Sequence, residues 1–213
     1  MRELGLLLAM FILFPSYCSA MDKWLPVAIE QFNRLTTYRV TMRSYGPSEQ
    51  VIRYRYKKPG YVRIDFVKPH EGATLVYRPD TGKVELRPFA FASFLTFTLS
   101  PDDGLVHSPS GHRVDQSDLG ALLRRALQLA VKGSSNVLRE EIVHKRAAVV
   151  LEIDGGAHVS DDGVGRYLLW MDKELRLPVI VESYDIENRL IEGLFLDNLE
   201  MNPELGDVFR LSK

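Results

Sequence analysis

One short segment of the chain gathers side chains that could bind a metal ion. His107 and His112 lie close in sequence to Asp102, Asp103 and Asp115, and imidazole and carboxylate groups are common ligands of divalent metals. The spacing of these residues matches no zinc signature. We therefore expect no metal here and interpret both histidines as solvated loop residues.

The sequence contains no recognisable catalytic motif. It lacks the Gly-x-Ser-x-Gly turn of hydrolases, the His-Glu-x-x-His pair of zinc proteases and a glycine loop for phosphates. Cys18 is the only cysteine. The sequence thus predicts a non-enzymatic protein without a cofactor. A hydrolase acting on envelope lipids is the least favoured hypothesis.

Large aromatic side chains on the inward faces of predicted strands are the unusual feature of the chain. One interpretation is a packed core. The other is the wall of a hydrophobic ligand cavity, because ligand sites are concave and mostly apolar, and rings with a polar tip suit a wall that meets both lipid and water. The candidate ligand-binding residues are Tyr54, Tyr56, Phe66, Tyr77, Phe89, Phe91, Phe97 and Trp170.

Alternation of apolar and polar residues predicts strands in the first half of the chain. Turns such as Gly46-Pro47 and Pro59-Gly60 separate the runs. This pattern is typical of an antiparallel meander with one apolar and one solvated face. The apolar positions are Tyr38, Val40 and Met42, then Ile52, Tyr54 and Tyr56, then Val62, Ile64 and Phe66, then Leu75 and Tyr77, then Val84 and Leu86.

Two segments depart from this pattern. Phe89–Leu99 contains four phenylalanines and no charge, so it is too apolar for a sheet with one wet face. The segment from Pro101 to Asp118 is polar and rich in Gly, Ser, Pro and Asp. It is predicted to be a long loop.

Two amphipathic helices are predicted. Asp22 is expected to cap a short helix through Trp24 and Phe32. Asp115 or Ser117 is expected to cap a second helix that runs from Leu119 to Lys132, with Gly133 as its C-cap. Both helices are candidates for a lid over the sheet.

The second half of the chain returns to strands, separated by polar turns. The total is about nine to eleven strands, and a sheet of that length must curl. We therefore predict an α+β fold: an incomplete antiparallel β-barrel, formed by one strongly curled sheet and covered by helices. The later strands are Ala147–Ile153, Tyr167–Met171, Pro178–Tyr184 and Leu190–Leu199.

The first twenty residues are typical of a secretory signal peptide. Arg2 supplies a positive charge, Gly5–Phe14 is an uncharged apolar run, and Cys18-Ser19-Ala20 places small residues at a cleavage site. Cleavage after Ala20 leaves a single domain, residues 21–213. The alternative is lipidation at Cys18, but the bulky Tyr17 in front of it fits that pattern poorly.

Overall composition favours a folded soluble domain. Hydrophobic residues make up 46% of the chain and charged residues 26%, and the formal net charge is −1. A nucleic-acid partner would call for a basic face. None is indicated.

Three segments give the chain a resemblance to a known family. Tyr54–Arg63 reads aromatic–Arg–aromatic–Lys–Lys–Pro–Gly, Tyr77–Gly82 reads Tyr then a Pro/Asp/Gly turn, and Leu169–Val181 contains Leu–Trp–Met–Asp and Leu–Pro. These patterns resemble the LolA/LolB-like superfamily of periplasmic lipoprotein carriers, related to outer membrane lipoprotein sorting. The resemblance implies an incomplete barrel with helices over its mouth, a cavity for acyl chains and a periplasmic location.

Two hypotheses about function follow from the residues and the resemblance together. The first is a monomeric periplasmic protein that binds a lipid or lipoprotein acyl chain in a hydrophobic cavity and shuttles it across the envelope. The alternative is an interaction or sensor module with a packed interior, which would contact an envelope protein through its surface or a sheet edge. The long loop and the phenylalanine-rich segment depart from the carrier type.

Overall fold

The computed structural model describes residues 23–89, 91, 94–160 and 162–211. The expected signal peptide, its cleavage site and Asp22 lie outside them. No helix within these ranges is both long enough and apolar enough to cross a membrane. The described elements are α1 (Trp24–Arg34), β1 (Thr37–Tyr45), β2 (Gln50–Lys57), β3 (Tyr61–Lys68), β4 (Thr74–Arg78), β5 (Lys83–Arg87), β6 (Phe97–Leu99), α2 (Leu119–Lys132), β7 (Ser134–Val143), β8 (Arg146–Asp154), β9 (Arg166–Asp172), β10 (Pro178–Tyr184) and β11 (Leu190–Met201).

All eleven strands belong to one antiparallel sheet. Their order is β6-β5-β4-β3-β2-β1-β11-β10-β9-β8-β7, so the pairing of β1 with β11 joins the two halves of the chain. Strands β6 and β7 are the two free edges, and the sheet does not close into a barrel. The predicted α+β fold with an incomplete, curled barrel and covering helices is confirmed.

The main core lies on the face of the sheet that carries the helices, which we call the concave face. In β1 the side chains of Tyr38, Val40 and Met42 are buried, whereas the alternating Arg39 and Arg43 are exposed on the opposite face. This is the period-two pattern of a half-solvated strand. Apolar burial on one face therefore determines which way each strand faces.

Both helices pack on this core. The buried residues Leu25, Ala28 and Phe32 line one side of α1, and α2 packs beside it. A Cβ atom at Gly120 would lie 2.2 Å from Cε1 of Phe32. A side chain there would separate the helices, so glycine allows their close contact.

The predicted N-cap of α2 was wrong: the two expected residues lie three positions and one position before the observed cap. Asp118 is the N-cap, and its carboxylate accepts a hydrogen bond from the Ala121 N–H at 3.0 Å. Asp115 instead pairs with Arg113, and the hydroxyl of Ser117 donates to the Val114 carbonyl. Gly133 is the C-cap, as predicted.

The two irregular segments meet the concave face differently. The predicted loop contains two 3₁₀ turns, Gly104–Val106 and Val114–Gln116, and buries Val106 and Val114 in the main core. Within the phenylalanine-rich segment, Phe97–Leu99 form the short edge strand β6, whereas Phe89, Phe91 and Phe94 lie outside the sheet.

Candidate ligand cavity

A cavity of about 170 Å³ lies between the concave face of the sheet and the elements that cover it. Its floor combines apolar side chains from both halves of the sheet with a few polar groups at one end. The floor residues are Met42, Gln50, Ile52, Tyr54, Ile64, Phe66, Leu75, Leu86, Tyr167, Val181, Ser183, Glu192, Leu194 and Leu196.

The roof of the cavity comes from the long loop and from α2. Leu105, Val106 and Val114 reach it from the loop, and Leu119 and Leu122 reach it from the first turns of the helix. None of these residues belongs to the sheet. The roof can therefore shift without breaking a strand-to-strand hydrogen bond.

The structure brings two of the eight predicted ligand-binding residues into the cavity wall, Tyr54 and Phe66. Tyr56 lies in the core, with its ring 5.1 Å from that of Tyr38 and 5.6 Å from that of Phe32. Tyr77 also packs against the main core and does not line the cavity. Alternation identifies the face of a strand, but not the position along it that a roof leaves uncovered.

The other four predicted residues lie elsewhere. Trp170 belongs to a second apolar cluster on the opposite face, where its indole N–H donates to Glu141 at 2.8 Å. Its neighbour Leu169 points to the main core instead. Phe89 and Phe91 are exposed and lie outside the sheet, and Phe97 is exposed on the edge strand β6. These four residues were predicted from their aromatic side chains, but they do not line the cavity.

Aliphatic side chains form most of the wall and were missed because the search favoured aromatic rings. Ile52 lies two residues before Tyr54 and Ile64 two residues before Phe66, so the same alternation puts each pair on one face. Leu122 follows from the apolar stripe of α2. The sequence carried the information needed to find these three.

Two hydrogen bonds fix the start of α2 to the sheet. The Leu119 N–H donates to the hydroxyl of Tyr38 at 3.1 Å, inside the core. The hydroxyl of Tyr54, whose ring stacks on that of Tyr38, lies 3.1 Å from the Ser117 hydroxyl. Burial raises the pKa of Tyr38 and of Tyr54 far above the usual value. Both hydroxyls therefore stay protonated.

Two polar contacts hold the loop at the end of the cavity where the polar groups lie. The Ser110 hydroxyl donates to the Glu192 carboxylate at 3.1 Å. His112 Nδ1 lies 3.3 Å from an Asp162 carboxylate oxygen, and Arg125 Nε lies 3.1 Å from the same oxygen. Burial raises the pKa of Glu192, and the bond from Ser110 opposes this effect.

Comparison with known proteins identifies the fold. No protein-family model and no curated protein matches the sequence. An uncharacterised conserved protein from Thermus thermophilus aligns over 90% of this chain and 93% of its own, at 13% identity and a TM-score of 0.56. MucB in the Pseudomonas aeruginosa MucA/MucB complex aligns over 89% of this chain at 18% identity and a TM-score of 0.53. Another structure of MucB aligns over 88% of this chain at 17% identity and a TM-score of 0.55.

These likenesses extend over most of the chain, and the open sheet with its covering helices is the architecture that the sequence resemblance implies. The chain shares the fold of these solved structures. It spans 60% of each MucB chain. At 13% to 18% identity the likenesses establish the fold alone.

The segment that gathers His107, His112 and nearby aspartates makes structural contacts. Asp102 and Asp115 both pair with Arg113, and His107 Nε2 lies 3.1 Å from the Pro101 carbonyl. Across the described ranges, no three His, Cys, Asp or Glu side chains are grouped to hold a metal. His112 was expected to be solvated, but its side chain is only 18% exposed because it lies against Asp162.

His112 is expected to make the domain less stable in mild acid. Burial, and then the charge of Arg125, lower its pKa from the usual 6.5, and Asp162 opposes them only in part. Below pH 6.5 the unfolded chain therefore binds the proton more readily, so the free energy of unfolding falls until the folded-state pKa is reached. Each unit of pKa difference corresponds to about 1.4 kcal/mol.

Urea unfolding of the wild type and of His112→Gln at about pH 7.5 and about pH 5 measures this effect. The wild type should lose more stability than the variant between the two values. An equal loss in both proteins would show that His112 makes no contribution.

Proposed function

We propose that this protein is a non-enzymatic, exported protein that binds the acyl chain of a lipid or lipoprotein on the concave face of its sheet. The observation that supports the proposal is the partly open cavity, whose wall is mostly apolar and whose roof is formed by the loop and α2. Apolar cavities stay dry and admit apolar ligands. Each methylene buried there contributes about 0.8 kcal/mol.

The size of the cavity limits what the closed form holds. Its volume of about 170 Å³ is close to that of an engineered cavity of about 150 Å³ that binds benzene. It is below the range of about 300–1,000 Å³ typical of ligand sites. The closed form therefore accommodates a segment of one acyl chain, and a whole chain requires the roof to move outward.

The contacts of the roof are suited to such a movement. The loop is held by Ser110 on Glu192 and by His112 on Asp162, and polar contacts of this kind exchange with water at a net cost of about 1 kcal/mol each. Loading and release then correspond to a shift between closed and open roofs, with the ligand favouring the open one. Shuttling across the envelope would use this exchange.

The proposed location is the periplasm, because the first twenty residues are typical of a signal peptide. We expect a monomer there, with cleavage after Ala20 and one domain, residues 21–213. The alternative function is an envelope interaction module. The ten-residue edge strand β7 is exposed along most of its length and favours this alternative, because an unpaired edge can accept a strand from a partner. MucB itself has been crystallised as a complex with MucA.

Lipid extraction and ligand titration test the proposal. Residues 21–213 are purified, extracted with organic solvent and analysed by mass spectrometry, and the delipidated protein is titrated with a fluorescent fatty acid. We expect a co-purified lipid and saturable uptake, displaced by unlabelled fatty acid. No lipid in the extract together with no uptake would refute acyl-chain binding and favour the interaction module.

A further inference from the structure

The phenylalanine-rich segment forms an exposed apolar patch on one edge of the sheet. Phe91 and Phe94 are 87% and 88% exposed, and Phe89 and Phe97 are about half exposed. The rings of Phe89 and Phe91 stack with their centres 5.4 Å apart. We call these four residues the Phe patch. Contiguous exposed apolar surface of this kind marks an interaction site in soluble proteins.

The Phe patch lies next to the cavity. Phe97 on β6 is paired directly with Leu86 on β5, and directly opposed residues of an antiparallel pair share one face of the sheet. Leu86 lines the cavity. Leu105 in the roof also lines the cavity and is 76% exposed. Apolar surface therefore continues from the Phe patch, by way of Leu86, to the cavity wall.

The charge pattern of the segment favours a lipid surface as the partner. No charged residue occurs between Arg87 and Asp102. A side chain that enters the bilayer must leave water, which is unfavourable for a charge and favourable for phenylalanine. Exposed aromatic rings can enter between lipids without an ion pair or a matched pocket.

We propose that the Phe patch docks this protein on a lipid bilayer and places the cavity mouth against the membrane. This inference rests on the proposed acyl-chain binding for its purpose, since the ligand would come from that bilayer. The docking itself is independent of that binding. Because the patch carries no charge, the attachment depends on apolar insertion and not on anionic lipid.

Vesicle sedimentation tests the docking. The wild-type protein is mixed with phosphatidylcholine vesicles, with and without phosphatidylglycerol, at low and high salt. Binding should be similar in all four conditions, because screening acts only on charges. Phe91→Asp and Phe94→Asp should each lower the partition coefficient by about ten-fold or more, and Phe94→Leu should largely retain binding.

Ile142→Asp is the matched control. Ile142 is 74% exposed on β7, at the opposite edge of the sheet, so this variant adds the same charge away from the Phe patch. It should bind vesicles like the wild type. Melting temperatures of the aspartate variants report whether each remains folded, and the exposed positions predict no large change.

Three results would overturn the docking proposal. In the first, the wild-type protein does not sediment with vesicles. In the second, Phe94→Asp sediments as well as the wild type. In the third, the wild type is a dimer in solution and Phe94→Asp dissociates it. The third result would assign the Phe patch to self-association. Uptake of a soluble fluorescent fatty acid separates this question from acyl-chain binding, because Phe94→Asp should retain uptake. Failure of uptake in a wild type that still docks would refute the proposed function alone.

Discussion

Leu122→Trp is expected to reduce fatty-acid binding by at least about ten-fold without unfolding the protein. Leu122 reaches into the roof of the cavity from α2, so the larger indole would occupy space that the acyl chain needs. Overpacking costs about 1–3 kcal/mol in a filled core, but here part of the added volume enters a cavity. Titration with a fluorescent fatty acid and thermal unfolding measure the two effects.

Leu127→Trp is the control for this variant. Leu127 lies on the same helix, is also half-buried and packs against the main core, but it does not line the cavity. It should retain fatty-acid binding even if it loses some stability. If both variants bind equally well, the acyl chain does not occupy this cavity.

Tyr38→Phe is expected to destabilise the domain by about 1–3 kcal/mol. The substitution removes only one hydroxyl, and the ring can still stack on Tyr54 and Tyr56. The cost arises because the buried Leu119 N–H at the start of α2 loses its acceptor. A buried donor without a partner costs its full desolvation penalty. Denaturant unfolding measures the change.

Tyr54→Phe provides the comparison, since it removes an equivalent hydroxyl from the neighbouring ring. The Ser117 hydroxyl that faces Tyr54 still donates to the Val114 carbonyl at 2.7 Å. We therefore expect a smaller cost, about 1 kcal/mol or less. Equal losses in the two variants would contradict the role of Tyr38 as the anchor of α2.

The sheet could be predicted from the sequence because its alternation is strong. In β1 and β2, apolar residues alternate with arginines, and only one face of each strand can then be buried. The stripe of α2 and the glycine after it likewise define that helix. Its cap was misplaced because three polar residues with capping side chains, Asp115, Ser117 and Asp118, compete within four positions. Asp115 pairs with Arg113, and the Ser117 hydroxyl donates to the Val114 carbonyl, so Asp118 is the one that caps the helix.

The candidate site was harder to predict because a cavity depends on which floor positions the roof fails to fill. Tyr54 and Tyr56 lie on the same face of one strand, yet α1 covers Tyr56 through Phe32 and the cavity opens above Tyr54. No local pattern distinguishes the two residues. Partners distant in sequence, such as Ser110 and Glu192, were likewise beyond any local motif.

The exposure of the phenylalanine-rich segment could not be predicted from its composition either. Its composition suggested an inward-facing wall, but Phe91 and Phe94 lie in the connection before a three-residue edge strand. An edge strand this short buries little apolar surface, so the rings stay outside. Their exposure is what makes the segment a candidate for membrane contact.

Photo-crosslinking with a diazirine-bearing fatty acid tests acyl-chain binding in the cavity most directly. The labelled protein is digested, and the modified residues are identified by mass spectrometry. Binding in the cavity predicts labels on its floor and roof, for example at Ile64, Leu122 and Leu194, and a loss of these labels in Leu122→Trp. Labels confined to the Phe patch or spread over the surface, unchanged by Leu122→Trp, would contradict it.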